Sequence, residues 1–105
     1  MGLAEDAGAD VFLSYAREDE VLAGELARAL ERHGFSVFWD RHVPPGQTWD
    51  DYIGGALGSA RCVVVAWSAH AVASEWVREE AREGKDRRVL VPVLLEAVRQ
   101  PFGFG

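Results

Sequence analysis

Four short apolar runs punctuate the chain, and stretches with apolar residues three and four apart separate them. The first run, Val11-Phe12-Leu13, mixes a β-branched residue with an aromatic and ends at Ser14-Tyr15, which predicts a buried strand. Residues 36–39 (Ser-Val-Phe-Trp) form a second such run. Residues 62–67 (Cys-Val-Val-Val-Ala-Trp) are continuously apolar, as expected of a strand covered on both faces. Residues 89–95 predict a fourth strand. Pro92 has no N–H for a ladder, so this strand lies at an edge or is bulged there.

Between the runs the period changes to that of a helix. Val21, Leu22, Leu26, Ala29 and Leu30 form an apolar stripe, with Asp19 as N-cap and Gly34 at the C′ position. Residues 40–47 (Asp-Arg-His-Val-Pro-Pro-Gly-Gln) cannot be regular. Thr48 and Asp51 then resemble a capping box for a helix carrying Tyr52, Ile53, Ala56, Leu57 and Ala60. Gly54, Gly55 and Gly58 make this helix weak by itself, unless it packs very closely. Residues 68–70 read as loop, and 72–83 as a third helix. Strands alternating with helices predict an α/β fold with a parallel sheet and right-handed crossovers. Ligand sites in such sheets lie beyond the carboxyl ends of the strands at the switch point. In a flavodoxin-like order that point falls between the first and third strands, at residues 14–19 and 67–74.

Composition narrows the function. The 105 residues suit one domain, and residues 2–9 read as a loose leader. That leader lacks a signal-peptide pattern, and Asp6 stands where a myristoylation motif wants Ser or Thr. A net charge of -6 argues against nucleic acid, because phosphate neutralisation supplies most of that affinity. No apolar run approaches the roughly 18 residues of a membrane span. A lone cysteine, Cys62, forms no internal disulfide and fits a reducing, cytoplasmic compartment. Glycine-rich dinucleotide, Walker A and nucleophile-elbow motifs are absent. His33, His42 and His70 are dispersed, without metal-ligand spacing. The first and third strands end in Ser14-Tyr15 and Trp67-Ser68 rather than the carboxylates of a phosphoacceptor domain.

One carboxylate sits on the wrong face. At about 100° per residue from Val72, the apolar face spans ~0° to ~180° and holds Trp76, Val77 and Ala81. Glu75, Arg78, Glu79 and Arg82 fall on the opposite face, but Glu80 lies at ~80°, inside the apolar stripe. A glutamate there pairs with an arginine, frays into water with the helix end, or works in a cleft.

The order of motifs resembles a Toll/interleukin-receptor (TIR) domain of the bacterial sort. The resemblance rests on residues 10–19 (DVFLSYARED), 33–40 (HGFSVFWD), 43–49 (VPPGQTW) and 74–80 (SEWVREE). It implies a flavodoxin-like three-layer sandwich with strand order 2-1-3-4. The family continues into a further helix and a fifth strand, so residues 10–105 are expected to be a truncated domain. Residues 40–48 would be the BB loop, which governs self-association and access to the site. Many members cleave NAD+ at the nicotinamide–ribose bond, with no cofactor, in bacterial immune signalling. Their catalytic glutamate ends a W-x-x-x-E motif, here Trp76 to Glu80. Glu80 is thus expected to be catalytic, with Ser14, Tyr15, Arg17, Asp40, Gly46, Trp49 and Trp76 as substrate-binding or loop-shaping residues. For Arg17 the alternative is an exposed arginine, for Trp76 plain core, and for Trp49 packing of the loop. The partners implied are NAD+ and other TIR domains, with neither nucleic acid nor membrane. A non-catalytic TIR–TIR scaffold and a nucleotide sensor are the alternatives, since the fold does not determine the activity.

Overall fold

The computed structural model describes residues 8–104. Most of the expected leader therefore lies outside the described residues. Four parallel strands form one sheet: β1 (Val11–Ser14), β2 (Val37–Phe38), β3 (Cys62–Trp67) and β4 (Leu90–Leu94), in the order β2-β1-β3-β4. Val11 pairs with both Val37 and Cys62, and Val65 with Pro92. The expected order is therefore observed. Pro92 lies in an edge strand, where a missing donor leaves one side of the ladder intact.

Helices α1 (Glu20–Arg32), α2 (Trp49–Ser59), α3 (Ala69–Ala73) and α4 (Glu75–Asp86) connect the strands. Alternation within each strand separates two cores. Val11, Leu13, Val64 and Ala66 face α1, against Ala23 and Ala27. On the other face Phe12 and Val63 meet Ile53 and Ala60, while Val65 and Trp67 meet Ala71, Val77 and Ala81. Three layers result.

Several local expectations need correction. Helix α1 buries its small residues, Ala23, Gly24 and Ala27, while Val21 and Leu22 are largely exposed. The face is rotated because close approach to the sheet and Trp39 favours the small side; a Cβ on Gly24 would lie 3.0 Å from the Trp39 ring. Asp19 does cap the helix in position, but its carboxylate accepts from Ser68 instead. Residues 69–70 are helical, and the expected third helix is two, broken at Ser74, whose hydroxyl accepts from the Val77 amide and starts α4. The glycines of α2 face open space, so close packing is not their reason.

Other signals hold. Gly34 has φ +96°, with Gly34 N–H donating to Glu31 and Phe35 N–H to Leu30, a Schellman closure of α1. Thr48 accepts from the Asp51 amide at 3.1 Å. Most consequential is Gly84. A Cβ there would lie 2.8 Å from Val63 Cβ, so α4 lies directly on β3. Glu80 is one turn upstream on the same side of α4, which carries its carboxylate to the end of β1.

Candidate active site

Two loops meet at the carboxyl ends of β1 and β3. A 3-10 turn, Arg17–Asp19, follows β1, and α3 follows β3. The buried Ser68 hydroxyl ties them, donating to Asp19 and accepting from the Ala71 amide. The 39–48 segment closes the third side. Together they line an open cavity of about 810 Å³, whose walls include Tyr15, Arg17, Glu18, Arg41, His42, Trp49, His70 and Trp76. That is within the size range of small-molecule sites. The switch-point loops 14–19 and 67–74 are thus where the cavity forms.

Beneath its wall sits Glu80, 3% exposed and the one charged side chain in the buried set among the described residues. Ser14, itself fully buried, donates to Glu80 Oε1 at 2.7 Å. Arg41 Nη2 lies 3.4 Å from the same oxygen and donates to the Leu13 carbonyl at 2.7 Å. Glu80 Oε2 and Arg41 Nη1 are buried without a hydrogen-bond partner. Burial pushes the Glu80 carboxyl above its ordinary range. Arg41, then Ser14, then Trp76 pull it back.

The expected site residues divide into three groups. Ser14 and Glu80 form the buried pair. Tyr15, Arg17, Trp49 and Trp76 line the large cavity. The Tyr15 hydroxyl is engaged by the Trp39 carbonyl at 2.8 Å, and burial raises its pKa, with Arg41 opposing. Trp49 and Trp76 meet at 5.7 Å between ring centroids, both about 40% exposed, so Trp76 is a wall residue rather than plain core. Asp40 is exposed and hydrogen-bonded to His42, and Gly46 turns the loop at φ +87°. Neither lines the cavity. A smaller cavity of about 230 Å³ lies on the other side of Trp76, and Glu80 lines it with Ile53, Leu57 and Glu79.

Arg41, His42 and His70 were not anticipated. Arg41 had one available signal: a buried glutamate needs a cation, and the loop after β2 reaches the same end of the sheet. Among the described residues no group of three or more His, Cys, Asp or Glu side chains could hold a metal ion. No described helix is long and apolar enough to cross a membrane.

A four-stranded 2-1-3-4 parallel sheet with its cavity at the switch point defines a flavodoxin-like α/β domain. The family model for the TIR domain matches residues 11–104, and the chain belongs to that family. It is similar to the TIR domain of the Toll-related receptor TRR-2 from the lower metazoan Hydra magnipapillata, at 25% identity and TM-score 0.77 over 90% of this chain and 76% of that one. It is also similar to the TIR domains of the activated Roq1 resistosome, which directly recognizes the pathogen effector XopQ, at 29% identity and TM-score 0.70. That match covers 83% of this chain and 57% of the other. A metazoan TIR-STING receptor from C. gigas matches at 26% identity and TM-score 0.72, covering 87% of this chain and 32% of that one. No curated protein matches the sequence.

Proposed function

We propose that this domain cleaves NAD+ at the nicotinamide–ribose bond, releasing nicotinamide while the ribosyl carbon is captured by water to give ADP-ribose or by a nucleophile of the same ADP-ribosyl group to give a cyclic product. The observation that carries this reading is Glu80, a buried carboxylate at the carboxyl end of the central strands, oriented by Ser14 and adjoining a ligand-sized cavity. Glycosidases ordinarily need a second carboxyl group to protonate the leaving group. NAD+ does not, because its pyridinium leaves as neutral nicotinamide. One carboxylate suffices to stabilise the oxocarbenium-like charge that develops on the ribose. Ser14 holds Oε1, and Oε2, buried and unpaired, is the oxygen available to that charge once the wall above it opens. Arg17 and the two histidines of the cavity wall supply cationic or hydrogen-bonding partners for the diphosphate. The Trp49–Trp76 pair offers an aromatic surface. The setting of the reading is cytoplasmic defence signalling, with TIR–TIR association enclosing the site.

A second reading, a TIR–TIR scaffold or nucleotide sensor without catalysis, draws on the Arg41–Glu80 pair. That pair gives the buried glutamate a structural partner, and Glu80 does not line the large cavity. Incubation of the purified domain with NAD+ and chromatography of the products decides between them. Free nicotinamide produced by the wild type and lost in Glu80→Gln supports the enzyme. Intact NAD+ at high protein concentration supports the scaffold or sensor.

A further inference from the structure

Arg41 touches both the large cavity and the carboxylate beneath it. Its guanidinium carbon lies 4.6 Å from the Phe12 ring centroid, 5.2 Å from Tyr15 and 6.0 Å from Phe38. The Leu13 carbonyl and Glu80 Oε1 complete the surroundings. Aromatic faces, a carbonyl and a carboxylate together make a receptor for a flat cation. Phe12 is fully buried and stacked on Phe38 at 5.4 Å, so this receptor is part of the core and does not depend on Arg41 for its walls.

The present occupant fits it incompletely. Arg41 meets Glu80 through one nitrogen at 3.4 Å, not through the two-point fork that arginine and carboxylate prefer. One guanidinium nitrogen and one carboxylate oxygen stay buried and unpaired, which penalises the occupied state. The occupant is also loosely tethered. Arg41 belongs to the irregular 39–48 segment, joined to an edge strand of only two residues, so it can withdraw without breaking the inner ladder.

We propose that Phe12, Tyr15, Phe38, the Leu13 carbonyl and Glu80 form a binding site for a planar organic cation, and that Arg41 is its tethered occupant, displaced when such a cation binds. Resting on the nucleosidase reading, the ligand is the pyridinium end of NAD+. Arg41 then competes with substrate inside its own molecule, and its departure opens Glu80 to the large cavity.

The test is Arg41→Ala, probed by thermal unfolding with millimolar methylguanidinium, 1-methylnicotinamide and, as a rounded cation of equal charge, tetramethylammonium. At tenfold their Kd the two planar cations should raise Tm of Arg41→Ala by about 5 °C or more. The wild type should shift less, because Arg41 competes. Tetramethylammonium should do little, and Glu80→Gln added to Arg41→Ala should abolish the shift. Absence of any planar-cation shift, or an equal one with tetramethylammonium, overturns the proposal. If Arg41→Ala does not fold, Arg41→Gln takes its place with the same probes. Refolding of Arg41→Ala by methylguanidinium supports the site, and its failure together with a silent Arg41→Gln overturns it. NAD+ cleavage is followed in parallel. A planar-cation shift with no cleavage by any variant rejects the nucleosidase and keeps the cation site; cleavage without a shift does the reverse.

Discussion

Replacing Glu80 by glutamine keeps the volume and the acceptor for Ser14 but removes the charge. Its cost in stability follows from opposing terms. At an effective dielectric of about 20, a unit pair at 3.4 Å attracts by about 5 kcal/mol before desolvation. Burying the two ions costs several kcal/mol each, so the terms nearly cancel. The upward shift of the Glu80 carboxyl sets the sign: burial outweighs Arg41 and Ser14 for this group, so its charged form is less favoured in the folded domain than in the unfolded chain. Arg41 keeps the Leu13 carbonyl and its aromatic neighbours in the variant. Glu80→Gln should therefore change stability by no more than about 1–2 kcal/mol, with gain favoured over loss. NAD+ cleavage should fall by about 10² or more, the scale of removing one preorganised electrostatic group. Glu79→Gln, on the exposed side of the same helix, should alter neither. The assays are product chromatography at saturating NAD+ and thermal unfolding of the same samples. Wild-type cleavage by Glu80→Gln refutes the catalytic role. A fall in Tm beyond about 10 °C refutes the stability argument and makes the glutamate a structural ion-pair member.

Three further outcomes are expected. Because the folded-state pKa of Glu80 is raised above 4.5, the folded domain holds this proton more tightly than the unfolded chain does; the Tm advantage of wild type over Glu80→Gln should be full below about pH 4.5 and disappear as pH rises through the raised value, while cleavage, which needs the ionised form, rises over the same window. A pH-independent Tm difference contradicts this. Gly84→Ala should destabilise by about 1–2 kcal/mol, the overpacking against Val63 outweighing the helix propensity gained, whereas Gly55→Ala, with open space around it, should stabilise by about 1 kcal/mol in denaturant titrations. Under the proposed function, in which association encloses the cleft and excludes water, specific activity should rise with protein concentration; a flat profile over a hundredfold dilution series counts against it.

The sheet was legible because strands covered on both faces read as unbroken apolar runs, and residues 62–67 form β3 from end to end. Helix-end chemistry was equally explicit at Gly34 and Thr48, and Pro92 marked an edge strand. The face of α1 was not, because the hydrophobic pattern weighs side chains by size, while this interface selects small ones. Val21 and Leu22 dominate the pattern yet face outward, and Gly24 and Ala27 face in. The break at Ser74 escaped for a related reason. Residues 72–83 keep an apolar face on either side of it, and a serine able to cap a new helix also tolerates the middle of an old one.

Part of the candidate site could be inferred from the chain and part could not, and the division follows sequence distance. Glu80 stood out because its own helix supplies the contrast: neighbours three and four residues away state which face is apolar. Arg41 belongs to a segment with no period, so nothing nearby states where its side chain points. Only the tertiary fold shows that β2, next to β1, delivers the following residues to the carboxyl end of the sheet, 39 positions from the glutamate they meet. The two residues impose opposite demands on each other. Glu80 alone would be an uncompensated buried charge, and Arg41 relieves it. Yet Arg41 does so through one atom pair, leaving an unpaired atom on each side. A pair selected for stability alone would be expected to close into a fork, or to be replaced by apolar residues of similar volume. An imperfect pair held by a loop, over rings that suit a flat cation, is instead what a site needs if its charge must be shielded at rest and released when a ligand arrives.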